Sequence, residues 1–182
     1  HATCAYLGDL LGYEYIYQSI DVPEIRVLVQ NAMLESAVAL HKKYDVELGG
    51  IVLHIQDLLH RFTNAALKDT CARVGGDPGR KLSPADRLIG SASLAIAQGE
   101  TPAYIAVGAA AGLRRYIAEA EGMEQGMDSA KKVLKEVSEL DEGSKLAAMI
   151  LEMYTLILEG KTIRELLKAA DEVKAAAACR VI

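Results

Sequence analysis

The chain has no tryptophan and a single phenylalanine, Phe62, among its 182 residues. A core of large stacked aromatics is excluded, so burial must come from Leu, Ile, Val, Ala and Met, with eight tyrosines at its edges. Cysteine is scarce as well. Cys4, Cys71 and Cys179 are odd in number and far apart, and no Cys-x-x-Cys or Cys/His cluster offers a zinc site. We read them as reduced thiols of a cytoplasmic protein. No apolar run reaches the roughly 18–20 residues that cross a bilayer, and no signal-peptide pattern is present, so a membrane role is not expected. Basic excess is missing too: the net charge is −5, which argues against a nucleic-acid partner. There is no alternating strand pattern, internal repeat or low-complexity linker. The chain starts at His1, without Met, and reads as a processed piece, a designed fragment or a product that begins with leftover residues.

Apolar residues at helical spacing are abundant. About half of the sequence is apolar, with Ala and Leu prominent, which predicts an all-α multi-helix bundle formed as one domain over residues 1–182. Leu7, Leu10, Leu11, Tyr15 and Ile16 fall on one helical face, so residues 2–20 read as a single helix. Pro23 and Glu24 open the next, whose stripe runs from Ile25 to Leu40 and ends on Lys42 and Lys43. Gly49-Gly50 reads as a break before a helix at 51–62. Residues 63–82 read as irregular because Asn64, Gly75, Gly76, Pro78 and Gly79 interrupt any long helix. Ser83-Pro84-Ala85-Asp86 has the form of a helix start, with Ser at the cap and Pro in the first turn, and predicts a helix to Gln98. Thr101-Pro102 predicts another, to Glu119, whose Ala109-Ala110-Ala111-Gly112 run suits close helix approach. Helices over 128–140, 141–158 and 162–178 complete the set, the last opened by a capping box from Thr162 and Glu165. His41, His54 and His60 sit in helical settings and are read as structural or solvated.

Residues 61–90 carry six basic side chains (Arg61, Lys68, Arg73, Arg80, Lys81, Arg87) against three acidic ones (Asp69, Asp77, Asp86). This local +3, in a chain whose remainder sums to −8, stands on a glycine-broken stretch. Arginine offers a planar fork for an anion and lysine a compact charge, so a phosphate or carboxylate ligand is one reading. Internal pairing, such as Arg73 with Asp77 or Arg87 with an upstream acid, is the other, and composition does not separate them. The Gly75-Gly79 loop is neither a dinucleotide fingerprint nor a P-loop, since no strand precedes it and no Gly-Lys-Ser/Thr follows. No nucleophile motif is present.

The same residues carry a resemblance. The pattern Arg61-Phe62-Thr63-Asn64, Leu67-Lys68-Asp69-Thr70, Arg73-Val74-Gly75, Asp77-Pro78, Arg80-Lys81-Leu82 and Asp86-Arg87-Leu88-Ile89 resembles the C-terminal domain of the polyol-specific long-chain dehydrogenases. The opening His1-Ala2-Thr3-Cys4-Ala5-Tyr6-Leu7-Gly8 is similar to the start of that domain, where His1 falls on the last residue of a Lys-x4-Asn-x2-His motif. The resemblance covers about residues 1–120 and thins afterwards. It implies an all-α substrate domain that works with an N-terminal Rossmann domain holding NAD, the latter absent from this chain, and without a metal. The implied reaction interconverts mannitol 1-phosphate and fructose 6-phosphate, with a hexuronate or unphosphorylated polyol as alternative substrates. By position, His1 is implied as the catalytic group that orients the substrate and polarises its oxygen, while Arg73 and Lys81 match substrate-contacting residues. Arg80, beside Lys81, is our own phosphate candidate. The family's Lys and Asn would lie upstream of His1, so this chain alone is not expected to turn over. A free-standing helical binding module is the non-enzymatic alternative.

Overall fold

The computed structural model describes residues 1–179. Eleven α-helices are present among them: α1 (Ala2–Leu10), α2 (Ile16–Asp21), α3 (Pro23–Tyr44), α4 (Leu48–Phe62), α5 (Cys71–Gly75), α6 (Pro78–Lys81), α7 (Ile89–Ala97), α8 (Ala103–Glu119), α9 (Met127–Glu136), α10 (Lys145–Leu158) and α11 (Ile163–Ala178). A single 3-10 turn spans Ala65–Leu67. The only β-type pairing among the described residues is one antiparallel bridge between Tyr15 and Thr70. The all-α expectation holds.

Helix α8 is the hub. It runs through the core against α1, α3, α10 and α11, and every residue from Ile105 to Leu113 is buried. Small side chains make this possible. A Cβ on Gly108 would land on Thr3 of α1, and one on Gly112 would come within 2.9 Å of the Tyr6 ring. The Ala/Gly run of α8 therefore serves internal packing against α1. Replacing Gly108 by alanine is expected to cost about 1–3 kcal/mol through overpacking. Gly143→Ala is the matched control, because its Cβ would meet nothing within 4 Å. Denaturant unfolding of the two variants checks this, and equal midpoints would rule out the close α1–α8 contact as the cause.

Several boundaries differ from the sequence expectations, and the helices read at 128–140 and 141–158 are shortened to Met127–Glu136 and Lys145–Leu158, with Glu139 between them in a left-handed turn (φ 52°). Residues 2–20 are two helices, because Gly12 takes a left-handed conformation (φ 75°) and turns the chain between α1 and α2. Gly49-Gly50 lies inside the first turn of α4, where the Glu47 side chain accepts hydrogen bonds from both glycine N–H groups. First-turn N–H groups lack intrahelical partners, so a capping carboxylate can hold a glycine pair there. The break falls instead at Asp45, which is left-handed (φ 55°). The irregular 63–82 stretch contains the short helices α5 and α6. Finally, Ser83-Pro84-Ala85-Asp86 opens no helix. It forms turns, and α7 starts only at Ile89. Gly90 packs against the Pro84 carbonyl, where a Cβ would stand 2.9 Å away. The turn is thus folded back onto the start of α7. The Thr162–Glu165 capping box is formed as expected.

This architecture fixes the surroundings of His1. His1 precedes α1, whose first residues are buried in the core. The end of α4 brings Phe62 to it. The Tyr15–Thr70 bridge brings the segment before α5.

Candidate functional site

The His1 ring stacks on Phe62 with centroids 4.5 Å apart and planes at 12°. Its Nε2 lies 3.7 Å from Asp69 Oδ2, at ion-pair distance. The other oxygen of Asp69 binds the Arg73 guanidinium, one helical turn later. His1 and Arg73, named separately from the sequence, therefore share one carboxylate.

Two clefts meet at His1. One, of about 230 Å³, is a largely apolar groove between α3 and α4, with Arg87 at the His1 end. The other, of about 210 Å³, adds Tyr17, Arg61, Asn64 and Asp69 to His1 and Phe62. Arg61 and Arg87 are thus the cations lining the clefts. Both stand in the motif that carried the resemblance, yet neither was singled out, because charge counting alone ranks all six basic residues equally. Asp69 was missed for the same reason. It read as one of three neutralising acids.

The other candidates have partners of their own. Arg80 is exposed and bound to Asp77 (3.1 Å) and Asp86 (3.7 Å). Lys81 is buried, 4% exposed, and its Nζ donates to the Gly76 carbonyl. Burial, then the nearby Arg87 and Arg80, hold its ammonium below the ordinary lysine range. Neither Arg80, Lys81 nor Arg73 lines the two clefts at His1. Internal pairing is accordingly real: Asp69, Asp77 and Asp86 each hold an arginine. The expected Arg73–Asp77 pair is not formed. Arg73 lies one turn after Asp69 on α5, while Asp77 is turned away by its left-handed backbone (φ 53°) and caps α6.

Comparison with known proteins decides what this arrangement belongs to. Residues 1–174 match the family described as mannitol dehydrogenase C-terminal domain. This chain is a member of that family. The match continues well past residue 120, so α9, α10 and most of α11 belong to the shared domain and are more than generic helices. Among similar proteins, the mannitol-1-phosphate 5-dehydrogenase of Caldanaerobacter subterraneus subsp. tengcongensis is 40% identical over 90% of this chain and 43% of its own length. That of Thermoanaerobacter pseudethanolicus is 35% identical over 78% of this chain and 42% of its own length. That of Clostridium acetobutylicum is 37% identical over 85% and 41%. This chain thus spans less than half the length of the curated relatives it matches.

Proposed function

We propose that this chain is the substrate-binding half of a cytoplasmic, NAD-dependent mannitol-1-phosphate 5-dehydrogenase, which interconverts mannitol 1-phosphate and fructose 6-phosphate. The observation that carries the reading is that His1, where two clefts meet, shares the Asp69 carboxylate with Arg73. The relatives' names supply the reaction.

The residues present here do not fit NAD. Among the described residues no strand leads into a glycine-rich turn that would cradle its pyrophosphate, so the cofactor would rest on a nucleotide-binding portion of the enzyme. This chain's own share of the work is binding and orientation. His1 offers an N–H to the reacting oxygen of the substrate, where charge develops in the transition state. Arg73 grips a substrate oxygen with its planar fork. Lys81 would turn from the Gly76 carbonyl to the substrate, and Arg80, its neighbour, would exchange its carboxylates for the phosphate. No helix of the described residues is long and apolar enough to cross a membrane.

The test is NADH oxidation by the enzyme that carries this domain. Fructose 6-phosphate is expected to be the preferred ketose over a ketohexuronate and over unphosphorylated fructose. A hexuronate preference would transfer the site to the carboxylate reading. This chain by itself, lacking a cofactor site, is expected to show no turnover.

A further inference from the structure

We propose that Asp69 is the positioning residue of this site: its two carboxylate oxygens set the orientation and charge of the His1 imidazole and couple it to Arg73. The catalytic consequence rests on the functional reading above. The geometry does not.

Asp69 is fixed by its backbone before its side chain is considered. Its carbonyl accepts from the Ile16 N–H at 2.9 Å, and Cys71 N–H donates to the Glu14 carbonyl at 2.8 Å. Thr70 between them forms the one β-bridge, to Tyr15. Lys68, just before, takes a left-handed turn (φ 50°) that directs the chain into this pairing. The carboxylate is thus delivered from a pinned strand-like segment rather than from a free loop, and pinned backbones hold side chains to narrow geometries.

The charges facing His1 are few. Among the described residues Asp69 is the only carboxylate lining either cleft, against the guanidinium groups of Arg61 and Arg87, the phenol of Tyr17 and the terminal ammonium that His1 carries in this chain, which burial holds below its ordinary range. Asp86 already pairs with Arg87 at 2.8 Å. Asp69 is therefore the one group placed to favour a protonated imidazole. The Phe62 stack fixes the ring plane, and Asp69 faces the Nε2 edge of the ring. The nitrogen not engaged by Asp69 is left for the substrate. Arg73 draws on the same carboxylate, so the two are coupled. When a substrate oxygen occupies Arg73, more of the Asp69 charge is available to His1. Both side chains are only partly exposed, 35% for His1 and 24% for Asp69, which limits screening by water.

Two measurements test this. In this chain, the His1 imidazole pKa is read by NMR titration. Asp69→Asn is expected to lower it by about half to one unit, as for loss of a partly screened opposite charge. Arg73→Ala, which removes the competing cation, is expected to raise it. In the enzyme carrying this domain, Asp69→Asn is expected to reduce kcat/KM on the order of tenfold to a hundredfold, as for a misplaced reacting group. Asp69→Glu is expected to recover part of that loss. An unmoved His1 pKa in both variants overturns the proposal. So does a shifted pKa with unchanged kcat/KM in an active enzyme. If the unsubstituted enzyme reduces none of the ketoses tested, the functional reading fails, and the two NMR shifts alone decide whether Asp69 governs His1.

Discussion

Replacing His1 by alanine in the enzyme that carries this domain is expected to lower kcat/KM by about a hundredfold to ten-thousandfold, the range for a lost acid–base or polarising group. The loss should appear in kcat more than in KM. A donor aimed at the reacting oxygen acts most strongly where charge develops, so it stabilises the transition state more than the bound substrate. On the proposed reading, binding contacts from Arg73 would survive the substitution. Steady-state kinetics with fructose 6-phosphate and NADH separate the two constants. An unchanged kcat would remove His1 from the reaction and leave it as an aromatic packing partner of Phe62.

The largest expected effect on stability lies elsewhere, at Glu35. This carboxylate on α3 is 3% exposed and accepts from the backbone N–H groups of Tyr104 (3.3 Å) and Ile105 (3.0 Å), while Lys174 of α11 lies 3.3 Å away. Pro102, the residue before α8, offers no side-chain cap, so Glu35 caps the central helix from outside it. Lys174 also donates to the Thr101 carbonyl at 2.9 Å, fastening α11 to the same point. Glu35→Ala would strand two N–H groups at the buried start of α8 and leave a void, costing about 2–4 kcal/mol. For a domain of this size that is a fall in Tm of about 4–16 °C, read by thermal unfolding. A drop below about 2 °C would sink the capping argument.

Glutamine at the same position should behave differently. Burial is the main influence on the Glu35 carboxyl and raises it above the ordinary carboxylate range, outweighing the two N–H groups and Lys174. A folded pKa above the unfolded one means that the native state binds the proton more tightly. The native chain therefore loses stability as pH rises from the ordinary glutamate value through the raised one. Glu35→Gln keeps an acceptor and removes the titration, so its stability relative to the native chain should improve across that window. The opposite slope would show that the ion pair with Lys174 outweighs burial.

Much of the fold is legible in the residues themselves. The capping box at Thr162 and Glu165 needs only two side chains one turn apart, and it forms as read. The start of α8 after Thr101-Pro102 and the opening of α3 at Pro23 follow from the fixed φ of proline. Where reading failed, the deciding partner was one that periodicity does not weigh. Gly49-Gly50 became helical because Glu47 caps it. Ser83-Pro84 failed as a helix start because its turn folds back on Gly90.

The sequence by itself determined the all-α class, the basic segment and the family pattern that names His1, Arg73 and Lys81. Each depends on residue type and short spacing, which the chain carries whatever its path. Tertiary structure alone decided which charges meet. Glu35 reaches its N–H partners across 69 and 70 positions. Asp69 reaches His1 only because α1, α4 and the Tyr15–Thr70 bridge converge. Electrostatic energy depends on distance in space and on exclusion of water, and neither is written in the order of residues.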